Sequence, residues 1–169
     1  MEQNGIPQSA MVIIAHPDDA EFTMAGTLAA WVQAGCRVSY VVCTDGNAGS
    51  HEPGMTRERL AEIRRSEQRA ACASLGVSEV HFLGYDDGLL QPTLELRRDL
   101  VRTIRRQKPE AILTSDPSRF FSGDHYINHP DHRATGTATL DAVYPTARDH
   151  LNFPEHLAEG IEPHKVRDV

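Results

Sequence analysis

Four short apolar runs recur along this chain, each separated from the next by enough residues for one helix. They are AMVIIA at Ala10–Ala15, RVSYVVCT at Arg37–Thr44, EVHFLG at Glu79–Gly84 and AILTS at Ala111–Ser115. Continuous apolar character rich in β-branched residues predicts strands covered on both faces, not strands with one wet side. Between them lie AGTLAAWVQAG, closed by Gly35, the segment Arg57–Leu75, closed by Gly76, and LELRRDLVRTIRRQ, followed by Pro109. Each reads as a helix with a glycine or proline stop. Strand, helix and strand in succession mean βαβ units, a parallel sheet and right-handed crossovers. The expected fold class is α/β, an open, mainly parallel twisted sheet with helices on both faces. A turn-like YDDG follows the third run, and a long loop, Asp116–Asn128, separates the fourth from a last helix, RATGTATLDAVY.

Composition narrows the function classes. The 169 residues suit one domain, and 40% hydrophobic content is ordinary for a globular chain. A net charge of -7 speaks against a nucleic-acid surface, which needs a basic footprint. No apolar run approaches the roughly 18 residues of a membrane span. The polar start, MEQNGIPQSA, lacks the build of a secretion signal. Cys36, Cys43 and Cys72 are odd in number and sit in apolar segments, which points to buried thiols in a reducing, cytoplasmic setting.

Two tetrapeptides stand out. HPDD at His16–Asp19 ends the first apolar run, and HPDH at His129–His132 follows the long loop. Taken singly, either is a good helix start, because proline suits the first helical position and aspartate the first turn. Together they say more. A residue before proline is extended, so His16 and His129 should stand at the lip of a helix. Residues three apart face alike there, which sets His16 beside Asp19 and His129 beside His132. Ligands of open α/β sheets bind where strand order reverses, beyond the carboxyl ends of the strands. With strands ordered 3-2-1-4-5, the loops leaving strands 1 and 4 meet at that reversal and carry the two motifs. Two histidines and one carboxylate make a three-ligand catalytic metal site with a position left for water. His16, Asp19 and His132 are the expected ligands. Asp18 is then placed to act as general base and His129 to donate to an oxyanion. Metal-assisted hydrolysis of an amide or ester is the expected reaction.

The paired AHPDD and HPDH motifs on a Rossmann-like frame closely resemble the LmbE-like, or PIG-L, deacetylases. That family includes the N-acetylglucosaminyl-phosphatidylinositol de-N-acetylases and the deacetylases of mycothiol and bacillithiol synthesis. The resemblance runs from Met11 to about Tyr144. It implies a Zn2+-dependent hydrolase that removes acetyl from a small N-acetylated amino-sugar conjugate, with His16, Asp19 and His132 on the metal, Asp18 as base and His129 at the transition state. Fe2+, Co2+ and Mn2+ share such sites. The resemblance also implies a substrate contact from Arg64 in RRSEQRAACASLGV, whose plainer reading is an (i, i+3) pair with Glu67. It implies another from the YDDG turn, where Asp86 fits slightly better than Asp87. Asp116 in SDP is expected to hydrogen-bond and orient a ligand histidine, and TDGNAGS is expected to shape the pocket wall.

Some features depart from the family. A catalytic tyrosine of some members has no counterpart at the matching position, since Tyr126 stands three before His129. HKVRDV at the end looks like the opening of a further strand, so the expected single domain, 1–169, lacks the family's C-terminal strand and helix. Phe120, Phe121 and Tyr126 suit either stacking on a sugar ring or anchoring the long loop; anchoring is expected of one phenylalanine, and a homo-oligomer is left open. His51, His81, His125, His150, His156 and His164 are read as non-ligands. Three rivals stand beside the deacetylase: another hydrolase, a non-haem iron oxygenase on the same triad, and a catalytically silent binding paralogue. A dinucleotide cradle is disfavoured, since the first turn lacks G-x-G-x-x-G.

Overall fold

A computed structural model describes residues 5–169. The first four residues, part of the polar start noted above, lie outside the described residues. Four parallel strands, β1 (Ser9–Ile14), β2 (Arg37–Thr44), β3 (Glu79–Tyr85) and β4 (Ala111–Thr114), form one sheet in the order β3-β2-β1-β4. That is the expected order as far as it goes. Beyond β4, Asp168 makes an isolated parallel bridge to Ala111, where HKVRDV was read as an opening strand.

Alternation along β1 and β2 explains the continuous apolar runs. Met11, Ile13, Val41 and Cys43 face one side, packed with Leu96, Leu100 and Ile104 of α4 (Leu94–Gln107) and Ala134 and Ala138 of α5 (Pro130–Asp141). Val12, Ile14, Tyr40 and Val42 face the other, packed with Leu28 of α2 (Ala25–Gln33) and Cys72 of α3 (Arg57–Ser74). Both faces of the pleat are therefore dry. Every one of these strand residues is buried, and all three cysteines are free thiols inside the two layers.

Three local expectations need correcting. A short helix, α1 (Asp19–Thr23), precedes α2, with a break at Met24 whose backbone leaves the helical region at φ -140°. The last helix begins at Pro130, three residues before RATGT, because proline supplies the helical φ without an orphan N–H. The long loop is not featureless: β5 (Phe121–Ser122) and β6 (Tyr126–Ile127) pair as a small antiparallel ribbon. A short C-terminal helix, α6 (Glu155–Ala158), completes the set. Among the described residues no helix is long and apolar enough to cross a membrane.

Candidate metal centre

The first loop turns sharply where β1 leaves the sheet. Asp18 caps α1 with φ 93° and ψ -17°, a left-handed backbone that costs a residue with a Cβ about 1–3 kcal/mol. The turn is over-determined by its neighbours. Asp19 Oδ2 accepts from the N–H groups of Ala15 (3.1 Å) and His16 (3.0 Å), which fixes the carboxylate and leaves Oδ1 free to face outward. Helix α3 supplies the rest: Arg64 donates to the Pro17 carbonyl (2.5 Å) and to Asp18 Oδ2 (2.7 Å), while the Gln68 amide oxygen accepts from Asp18 N–H (2.8 Å). His16 is thus not aligned with Asp19 by a shared helix face, as the spacing alone implies. The carboxylate reaches back to the backbone instead.

The second loop is set by the ribbon and by α5. Asn128 closes the ribbon, donating through its backbone to Phe120 O (2.9 Å) and through its side chain to Arg119 O (2.8 Å). Its remaining oxygen therefore faces His132 Nδ1 at 2.9 Å. His129 caps α5, its Nδ1 accepting from Asp131 N–H (3.2 Å). Gly136 lets α5 sit tightly on the exit of β4, since a Cβ there would lie 2.2 Å from Ser115 O.

These two loops bring three atoms together although more than a hundred residues separate them. His132 Nε2 lies 3.0 Å from Asp19 Oδ1 and 3.3 Å from His16 Nδ1, and the last two are 3.7 Å apart. Tetrahedral bonds of about 2.1 Å would hold ligand atoms roughly 3.4 Å apart, so the spacing fits a small divalent cation. The donor chemistry agrees. Nε2 of His16 faces the carboxylates of Asp131 and Asp87, each at 3.1 Å, and must carry a hydrogen. Nδ1 of His132 faces the Asn128 oxygen and must do the same. In their neutral forms both rings then turn a lone pair toward a carboxylate oxygen. Three electron-rich atoms in mutual contact require a cation between them. Without a metal a proton does this work: burial opposes a charge on His16, but the hydrogen bonds to Asp131 and Asp19 outweigh it and lift the imidazole to about 10. Burial also opposes the Asp19 charge, yet hydrogen bonds from His132 and His16 hold its carboxyl far below the usual range.

Beside this centre opens a cleft of about 560 Å³, bordered by His16, Asp18, His129, Arg64 and Asp87. Gly46, Gly49 and Ser50 of the glycine-rich second loop line it, as expected of TDGNAGS. Of the weaker sequence assignments, Arg64 borders the cleft, where it grips Asp18, and it also makes the (i, i+3) pair with Glu67 at 3.4 Å. Asp86 does not reach it. It is exposed and bonded to Asn47 and Arg57, whereas Asp87 turns inward to His16. Asp116 is corrected too: it lies exposed with its carboxylate folded onto Ser118, and Asn128 orients His132 in its place. Asp131, inside the second motif, is a site residue that the helix-start pattern of HPDH conceals. It is wholly buried, accepts from Gly88 N–H (2.7 Å) and Leu90 N–H (3.3 Å), and backs His16. Phe120 and Phe121, one of which was expected to anchor the long loop, are both exposed, and Phe120 carries the Arg133 guanidinium 4.6 Å over its ring.

The chain is thus an open α/β protein with a His/Asp/His cluster at the reversal point of its sheet. The profile of the PIG-L family, described as GlcNAc-PI de-N-acetylase, matches residues 11–143, and the chain belongs to that family. Diacetylchitobiose deacetylase of Thermococcus kodakarensis is 31% identical over 162 residues, 96% of this chain and 58% of the relative. A probable N-acetyl-alpha-D-glucosaminyl L-malate deacetylase of Bacillus anthracis is 33% identical, covering 94% of this chain and 73% of the relative. The solved N,N'-diacetylchitobiose deacetylase from Pyrococcus horikoshii, complexed with an inhibitor, superposes with a TM-score of 0.87 at 30% identity, covering 94% of this chain and 57% of that one. The chain thus spans rather more than half the length of the archaeal deacetylases it matches.

Proposed function

We propose that the protein is a metal-dependent N-deacetylase acting on the acetamide of an N-acetylglucosamine-type conjugate, with Zn2+ held by His16 Nδ1, Asp19 Oδ1 and His132 Nε2. The observation that carries this reading is the convergence of those three atoms beside a cleft onto which Asp18 and His129 both open. A divalent cation bound there would lower the pKa of a water from 15.7 to about 7 and polarise a carbonyl. The chain's own residues do the rest. Asp18 accepts the proton of the attacking water and returns it to the amide nitrogen as the C–N bond breaks, and Arg64 keeps its carboxylate turned to the cleft. His129 offers Nε2–H to the carbonyl oxygen as charge develops, because its Nδ1 is already occupied as an acceptor. A donor in that role is worth about 3 kcal/mol in comparable oxyanion sites. Burial lowers the basicity of His129 and favours its neutral, donating form. Asp131 and Asn128 fix the ring orientations of His16 and His132. The names of the matched relatives support an N-acetylated amino-sugar substrate, and three buried free thiols support a reducing, cytoplasmic setting.

The test is metal analysis of the purified protein combined with acetate release from a panel of N-acetylglucosamine conjugates. One equivalent of metal and metal-dependent acetate release are expected, with activity retained under strict anaerobiosis. Metal-loaded protein that deacetylates no member of the panel would remove the deacetylase reading.

A further inference from the structure

Helix α3 presents Leu60, Arg64, Gln68 and Cys72 along one stripe at intervals of four, the spacing of a helix face. Leu60 and Cys72 are core residues, and Gln68 between them is 2% exposed. An amide at a core position must satisfy its hydrogen-bonding atoms locally. This one does: its oxygen accepts from Asp18 N–H at 2.8 Å, and its nitrogen donates to Glu21 Oε1 at 2.9 Å and lies 3.3 Å from Cys72 Sγ. The reverse orientation would set NH2 against N–H and oxygen against carboxylate, so the partners dictate which way the amide points.

Arg64 holds the carbonyl of the Pro17–Asp18 peptide and Gln68 holds its N–H, so one turn of α3 grips both ends of a single peptide plane. On the other side of Asp18, its carbonyl is held by the N–H groups of Glu21 (3.0 Å) and Phe22 (3.3 Å) at the start of α1. With both flanking planes fixed at φ 93°, the Asp18 Cβ has one direction left, into the cleft. We propose that Gln68 is a positioning residue for the base Asp18: it never meets substrate, and it keeps the Pro17–Asp18 peptide in the plane that aims the Asp18 carboxylate. The role rests on Asp18 serving as base in the proposed hydrolysis.

Three variants test it. Gln68→Leu roughly keeps the volume and removes all three polar contacts. Gln68→Glu keeps the acceptor but sets a second carboxylate against Glu21. Adding Glu21→Gln to Gln68→Glu restores the pair with its polarity reversed. Gln68→Leu is expected to bind one metal with unchanged affinity in chelator competition, and to lose kcat by about tenfold or more with KM nearly constant, since small misplacements of a catalytic group cost that much. Its crystal structure is expected to show the Asp18 carboxylate moved off Arg64. The Gln68→Glu/Glu21→Gln protein is expected to recover most of the kcat lost in Gln68→Glu. The proposal is overturned by a Gln68→Leu enzyme of near-normal kcat, by metal loss that parallels the loss of activity, or by a folded double variant that recovers nothing. An unmoved Asp18 in the Gln68→Leu crystal overturns it as well. That crystallographic result is read without turnover, so a wild-type protein that releases no acetate would count against the deacetylase reading alone.

Discussion

The same three residues, His-Pro-Asp, open both loops of the centre, and the two copies are used in opposite ways. In the first, the histidine turns a nitrogen to the metal position and the third-residue aspartate, Asp18, lies nearly half exposed in the cleft. In the second, the histidine stands in the cleft and the third-residue aspartate, Asp131, is sealed with 0% exposure behind His16. Only the fourth residues, Asp19 and His132, share a destination. The difference lies in the backbone. After Pro130 the chain enters helix at once, which carries Asp131 inward to the Gly88 and Leu90 amides. After Pro17 the helix waits until Asp19, and Asp18 takes a left-handed conformation that throws its side chain the other way. A tripeptide therefore has no fixed role. The φ of one aspartate decides which copy sends its carboxylate into the cleft and which buries it as a support.

That contrast can be broken first at the two aspartates. Asp18→Asn should reduce acetate release by about 10²–10⁴-fold while metal content stays at one equivalent, the range for loss of a general base. Equal turnover in that variant would take Asp18 out of the chemistry. Asp131→Asn should act through the metal instead, weakening its affinity by about 10–100-fold as losses of a ligand's supporting carboxylate do. Chelator competition separates the two outcomes, and a pair of variants with identical profiles would erase the distinction drawn above.

Proton linkage sharpens it. In metal-free protein His16 holds its proton to about pH 10, well above the ordinary 6.5. A raised imidazole pKa stabilises the apo fold fully below about pH 6.5, and that contribution disappears as pH climbs toward 10. A metal must displace the same proton, so its affinity should rise about tenfold per pH unit across that window, with one proton released in calorimetry. Asp131→Asn should flatten that slope, because it removes a carboxylate that helps keep His16 charged. A slope of zero in the unaltered protein would show that His16 is already neutral. The smallest effect expected is at the seat of the second loop. Gly136→Ala overpacks α5 against Ser115 and should cost about 1–3 kcal/mol, seen as a fall in Tm of roughly 2–4 °C for each kcal/mol.

Much of this was readable beforehand for a physical reason. Strand order and the meeting of the two motifs follow from burial pattern and crossover handedness, which act over whole elements and tolerate small errors in boundary. What was not readable turned on single-residue geometry. Whether Asp86 or Asp87 faces His16 depends on how β3 leaves the sheet, and the β2–β3 register slips between Val42 and Thr44 just before that exit. A slip of one residue exchanges inside for outside. Asn128 displaced Asp116 because the intervening loop folds into a ribbon of two-residue strands, too short for any periodicity to announce. Asp131 and Gln68 left fainter marks. The first was hidden by its own helix-start plausibility, and the second was a polar residue on an otherwise apolar stripe, a signal that becomes clear only when the stripe is known to be covered.

The absent side chain at Gly136 reaches further than its modest energetic weight. Because α5 rests directly on the backbone that follows β4, the width of the ion seat is gauged by that contact: His132 rides on the helix, while His16 and Asp19 ride on the sheet. A methyl group inserted there would act as a shim, opening the jaws a little and shifting preference from small ions that demand short bonds toward larger ones. The spacing of the three cluster atoms is thus tuned from about one helical turn beyond His132.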